Sequence, residues 1–113
     1  MPHHIQLRRT RRRWALSQSE LAHLLGTSQS IVSRLEGGET IPDAALAFRL
    51  QVIFGHSPRA LFPGLYGSAE DAVMANAAKF DRSLGERQDY ATQTKRRLLT
   101  AMAHRAGGNR RAA

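Results

Sequence analysis

The sequence predicts an all-α fold, and three observations carry that prediction. Apolar residues recur at helical spacing, as in Leu21, Leu24 and Leu25 or in Val73, Ala77, Phe80 and Leu84. The segments between them carry helix-start and helix-stop residues, such as Ser17 with Glu20 and then Gly26. No segment sustains an alternation of β-branched and polar residues, so no sheet is expected.

Taken in order, a first helix is expected from about Ile5 to Trp14. Ser17 caps a second, and Glu20 three positions later completes a capping box. Gly26 stops it. Ser28 caps a third helix, which ends at Gly37-Gly38. Pro42-Asp43 opens a fourth, ending at Gly55, and Ser57-Pro58 starts a short fifth through Phe62. Pro63-Gly64 and Gly67 mark a linker over 63–67. Ser68 then caps a helix whose first turn carries Glu70 and Asp71, matching the helix dipole. Gly85 ends or kinks it. A further pattern runs from about Arg87 to Arg105, with Ala91, Leu98, Ala101 and Met102 near one face. The small, basic residues 106–113 are expected to be a disordered tail. The expected layout is therefore a domain over 1–62, a linker over 63–67, a helical extension over 68–105 and the tail.

Charge narrows the function classes. The 113 residues carry 17 Lys and Arg against 9 Asp and Glu, a net charge of +8. That balance implies a polyanionic partner, and nucleic acid is the commonest one. No apolar run approaches the roughly 20 residues that span a bilayer, and no apolar stretch follows the N-terminal arginines as in a secretory signal. With no cysteine there is no disulfide and no thiolate zinc site. A cytoplasmic location is expected.

The five histidines (His3, His4, His23, His56 and His104) are scattered rather than convergent, so no metal site is expected. Nothing marks a nucleophile, and there is no phosphate-cradling glycine loop. An enzyme is the least supported class, and no cofactor is expected.

The distribution of charge matters more than its sum. Arg8, Arg9, Arg11, Arg12 and Arg13 crowd the first fourteen residues with no acid among them. Between residues 15 and 62, Arg34, Arg49 and Arg59 face Glu20, Glu36, Glu39 and Asp43. Beyond residue 62 the balance turns positive again. Basic flanks can grip phosphates while a neutral element reads bases. Arg8 and Arg12 share a helix face, which makes Arg12 a phosphate-binding candidate.

The third helix is the informative one. At about 100° per residue, Ile31, Val32 and Leu35 gather on one side, while Gln29, Ser30, Ser33 and Arg34 gather on the other. Gln pairs bidentately with adenine and Arg with guanine, and Ser serves either. These four are the base-reading candidates; the competing reading is a plain solvated face. Gly26-Thr27 is a connection tight enough for two helices to cross steeply.

The segment from Leu16 to Pro42, LSQSELAHLLGTSQSIVSRLEGGETIP, resembles the lambda-repressor-like, Cro/C1-type (XRE family) helix-turn-helix. The resemblance covers about Leu7 to Phe62. It implies a five-helix DNA-binding domain, here followed by one or two C-terminal helices, in a family whose members usually repress transcription as dimers. It also implies that Gln18 touches a phosphate at the start of the second helix. Arg11 stands where the family often has an arginine that bridges to the glutamate at Glu36 and faces the DNA backbone. Thr40 lies in a loop that commonly approaches phosphates. Ser28, the cap of the third helix, joins this phosphate-binding set. Thr10 departs from the family, standing at a position that is usually apolar, and so does Trp14, at one that is usually polar.

The fourth helix is apolar on two sides: Leu46, Leu50 and Ile53 on one, Ala45, Phe48 and Val52 on the other. Such a helix needs two partners. Phe48, Val52, Val73, Phe80 and Leu84 are therefore the expected dimer or partner surface, and two-fold pairing is the commonest symmetry. The leading expectation is a sequence-specific regulator of transcription, a repressor acting as a homodimer on double-stranded DNA. The alternative is an interaction protein of the antitoxin kind, whose C-terminal helices bind a partner protein. A third is non-specific nucleic-acid packaging through the flanking arginines.

Overall fold

A computed structural model describes residues 5–112, with side chains for residues 5–108. His3 and His4 lie outside the described residues. The described residues are mainly helical, with no strand among them: α1 (Leu7–Arg13), α2 (Gln18–Leu25), α3 (Gln29–Gly37), α4 (Ala44–Phe54), α5 (Pro58–Leu61), α6 (Pro63–Leu84) and α7 (Tyr90–Ala112). The chain divides into two compact units between Gly67 and Ser68.

Local chemistry sets the element ends in the first unit. Ser17 caps α2: its hydroxyl accepts from the Glu20 N–H, and its own N–H donates to Glu20 Oε1 at 2.8 Å. Reciprocal capping of this kind satisfies two otherwise orphaned donors. The hydrogen bonds Glu20 receives from Ser17 hold its carboxyl below the usual glutamate range. Ser28, Asp43 and Ser57 each cap the next helix by the same side-chain acceptance. Gly26, which ends α2, has φ +74°, a left-handed conformation that costs glycine little.

The caps hold α1 to α5 around one core. Leu7, Leu21, Ala22, Leu25, Val32, Leu35, Leu50, Leu61 and Phe62 are buried together, with Ile5, Ile31, Leu46, Ile53, Phe54 and Leu65 packed against them. Burying each such Leu contributes roughly 1.5–3 kcal/mol. Leu24, which shares the expected stripe of α2, is instead 55% exposed. Thr10 is buried at the position expected to be apolar, and its hydroxyl donates to the Gln6 carbonyl at 2.8 Å, so no polar group is orphaned. Trp14 is 63% exposed. The Gln6 N–H donates to the Leu61 carbonyl at 2.8 Å, joining the start of α1 to the end of α5.

Three expectations about the C-terminal part need correction. Residues 63–67 are not a loop; they are the first turn and more of α6. Pro63 suits the first helical position because its missing N–H would be unpaired anyway. Gly64 and Gly67 each cost about 1 kcal/mol relative to Ala. Leu65 offsets this by packing on the core, and Tyr66 by lying 4.8 Å under the Arg59 guanidinium. Ser68 is thus inside a helix rather than capping one.

The last helix begins at Tyr90 rather than near Arg87, because Asp89 caps it. The Thr92 N–H and hydroxyl donate to the two Asp89 carboxylate oxygens at 3.2 and 2.7 Å. These bonds hold Asp89 below the ordinary aspartate range. Finally, the backbone from residue 106 to Ala112 continues α7. Ala106, Arg110, Arg111 and Ala112 are good helix formers, whereas Gly107, Gly108 and Asn109 are poor ones, so composition alone does not decide this stretch. In this second unit Leu84, Thr92 and Ala106 are buried, and Arg96 donates to Asp81 and to the Gly85 carbonyl across the α6–α7 turn.

Candidate nucleic-acid interface

The tight connection between α2 and α3 sets up the site. The Thr27 N–H closes back on the Ala22 carbonyl at 3.0 Å, and Arg49, from α4, donates to the Leu25 carbonyl at 3.0 Å. With Val32 and Leu35 fully buried and Ile31 partly so, one side of α3 is sealed into the core. The opposite side presents Gln29, Ser30, Ser33 and Arg34, all exposed. Ser28 at the helix cap is exposed too, its hydroxyl accepting from the Ile31 N–H at 3.3 Å.

A side-chain network fixes α3 against α1 and α2. Glu36, buried near the end of α3, is its centre. Arg11 donates to it twice, Nε to Oε2 at 2.5 Å and Nη2 to Oε1 at 3.0 Å. Gln18 donates Nε2 to Oε1 at 3.1 Å, and Arg8 donates Nε to the same oxygen at 3.3 Å. Gln18 in turn accepts on Oε1 from Gln29 Nε2 at 3.4 Å. Gln29 Oε1 accepts from the Ser19 hydroxyl at 3.0 Å. The first residues of α2 and α3 are thus tied side chain to side chain.

The charges respond accordingly. Burial pushes the Glu36 carboxyl up, but hydrogen bonds from Arg11 and Gln18, the Arg11 charge and the Arg8 hydrogen bond together hold it below the ordinary range. The hydrogen bond to Glu36 raises Arg11, against a smaller effect of burial.

Arg11 therefore requires a correction. Expected to bind phosphate, it is buried, and its third guanidinium donor goes to the Leu16 carbonyl at 2.8 Å. It bridges to Glu36, as the family resemblance implied, and has no free face for DNA. Arg12 is exposed, and with Arg8, Arg9 and Glu36 it lines an open groove along α1. The basic N-terminal stretch thus sits beside the end of α3, brought there by the buried Arg11–Glu36 pair. Gln18 is partly buried and already bonded on both amide atoms. Thr40 is partly buried in the α3–α4 loop, in a groove with Thr27, Ile31, Ile41 and Arg49.

Of the expected partner surface, Phe48 is 62%, Val52 86%, Val73 50% and Phe80 45% exposed. Leu84 is the exception at 3%, buried where α6 meets its turn, so it cannot serve an interface. Sequence reasoning missed Ser19, Arg8 and Arg49, whose partners lie 10, 28 and 24 residues away. No local spacing announces contacts of that kind.

A family model described as a helix-turn-helix domain matches residues 5–61. The chain belongs to the helix-turn-helix family. The match covers α1 to α5 and all of the first core except Phe62 and Leu65, and domains of this family occur in XRE-like regulators. DNA binding follows from membership. No curated protein and no solved structure gives a significant match to this helix-turn-helix protein. Among its described residues no helix is long and apolar enough to cross a membrane.

Proposed function

We propose that this helix-turn-helix protein is a sequence-specific transcriptional regulator of the Cro/C1 (XRE) kind, a repressor that binds double-stranded DNA as a homodimer in the cytoplasm. One observation carries the reading: α3 buries Val32 and Leu35 while exposing Gln29, Ser30, Ser33 and Arg34 together. A helix anchored on one side and polar on the other can enter the major groove, where these side chains match base edges. Arg34 suits guanine and Gln29 suits adenine. Arg12, Gln18, Ser28 and Thr40 contact phosphates, which positions the helix without reading sequence.

Repression on this reading involves no chemical step; an occupied promoter excludes polymerase. Exposed Phe48 and Val52 on α4 support pairing of two copies. Selection of bound duplexes from random DNA, followed by footprinting, tests the proposal. Two half-sites centred about ten base pairs apart support both readout and dimer. Uniform affinity across sequences would leave packaging as the function and remove specific regulation.

A second reading draws on Val73 and Phe80, half exposed on α6. These suit a protein partner of the antitoxin kind. A stoichiometric partner that co-purifies and is lost on Phe80→Glu supports it; a chain that purifies alone and binds its operator tightly counts against it.

A further inference from the structure

We propose that the outer face of α7 is a second DNA-binding surface, which grips duplex phosphates through Arg97 and Arg105 without reading sequence. It needs DNA as the partner, which family membership supplies, but not the base-reading role of α3. The starting point is a one-sided charge. α7 carries Lys95, Arg96, Arg97, Arg105, Arg110 and Arg111 and no Asp or Glu. α6, of similar length, balances Lys79 and Arg82 against Glu70, Asp71 and Asp81. An ordinary solvated surface mixes both signs; α7 does not.

Burial fixes which side of α7 faces out. Thr92 and Ala106 are buried and Leu99 partly so, and their spacing of seven puts them on one line of the helix. Tyr90, Thr94, Arg97 and Arg105 lie on the opposite line, all exposed. Arg96 stands nearer the inner side, and its charge is taken by Asp81. Arg97 is presented differently. Its Nη2 donates to the Thr94 hydroxyl at 2.9 Å, and its guanidinium lies 6.0 Å from the centre of the Tyr90 ring. Both neighbours are uncharged, so they hold the guanidinium on the outer face without neutralising it. Among the described residues neither Arg97 nor Arg105 has an ion pair. They stand eight residues apart, roughly 12 Å along the axis, so each can meet a separate phosphate. An anionic membrane is the competing polyanion. A helix that lies in a membrane surface inserts a continuous apolar face, and here the inner side of α7 is already covered by its own unit.

The test uses the full chain and a random-sequence duplex titrated at several salt concentrations. Four proteins are compared: wild type, Arg97→Gln with Arg105→Gln, Arg97→Lys with Arg105→Lys, and Lys79→Gln with Arg82→Gln. The last removes the same charge from exposed positions on α6. The Arg97, Arg105 glutamine pair should make the salt dependence shallower by about two units of log slope and weaken random-duplex binding about tenfold or more at roughly 0.1 M salt. The lysine pair should keep both, since a phosphate accepts either cation, and the α6 pair should behave as wild type. Sites selected from randomised duplexes should be the same for all four. The inference is overturned if the glutamine pair keeps the wild-type slope, if the α6 pair loses as much, or if the selected site changes. It is equally overturned if the glutamine pair releases phosphatidylserine vesicles but not DNA. A wild type that selects no sequence, with the slope loss intact, would bring down base reading by α3 and leave this surface standing; a selected site with an unchanged slope would do the reverse.

Discussion

Arg11 and Glu36 stand 25 residues apart in sequence and meet through two hydrogen bonds of 2.5 and 3.0 Å, with both side chains out of solvent. Arg11 belongs to α1 and Glu36 to α3, so the pair joins the basic N-terminal helix to the helix that faces DNA. Removing one member of a buried pair strands the other charge, which costs about 3–5 kcal/mol. Glu36→Gln and Arg11→Met should each lower stability by that amount in urea denaturation. The apolar double replacement Arg11→Met with Glu36→Leu should recover much of it. Single variants as stable as wild type would show that the pair contributes little.

Glu36 also sets a pH dependence. Its carboxyl titrates below the ordinary glutamate value, held there against burial by Arg11, Gln18 and Arg8. A carboxyl depressed in the folded state contributes stability that is present above its unfolded value. That contribution is lost as pH falls through the folded value. Melting temperature should therefore drop on acidification through and below the ordinary carboxylate range. In Glu36→Gln the drop should be shallower, since Glu20 and Asp89, also depressed, remain to contribute. Identical acid profiles would remove Glu36 from the explanation.

Ala15, at the end of α1, has φ +58° and is the non-glycine residue in the left-handed region among those described. The turn demands that conformation because the Leu16 N–H closes on the Arg11 carbonyl at 3.2 Å. The left-handed cost for a side chain is roughly 1–2 kcal/mol, and glycine adds roughly 0.4–1 kcal/mol of unfolded-chain entropy. Ala15→Gly should thus stabilise by about 0.5–1 kcal/mol, read as a melting temperature several degrees higher. A lower melting temperature would mean the turn is not strained.

Arg34 and Arg12 should respond differently to truncation. Arg34→Ala should cost the preferred site about 1–3 kcal/mol and relax one base pair. Arg12→Ala should weaken all sequences alike and make the salt dependence shallower by about one unit of log slope. Titrations on specific and random duplexes at several salt concentrations distinguish the two. Equal losses on both duplexes for Arg34→Ala would sink direct readout by that residue.

The sequence showed the elements whose signals are local. The Ser17–Glu20 capping box, the Gly26 stop and the two-faced pattern of α3 all appear in the structure, because capping and helical periodicity act within a few residues. The start of α6 was hidden because Pro63 and Gly64 read as breakers, whereas packing by Leu65 and Tyr66 outweighs their propensity. The burial of Leu84 and the bond between Ser19 and Gln29 depend on how elements pack, which periodicity does not encode.

The bond from the Gln6 N–H to the Leu61 carbonyl brings the two ends of the matched domain within one hydrogen bond of each other. A fold whose ends meet can be re-entered elsewhere. A short linker from residue 62 back to residue 5 would close this domain into a ring, and new termini could be opened in the exposed stretch around Gly38 and Glu39. What α1 to α5 form is in that sense a cassette, transferable between chains by either end.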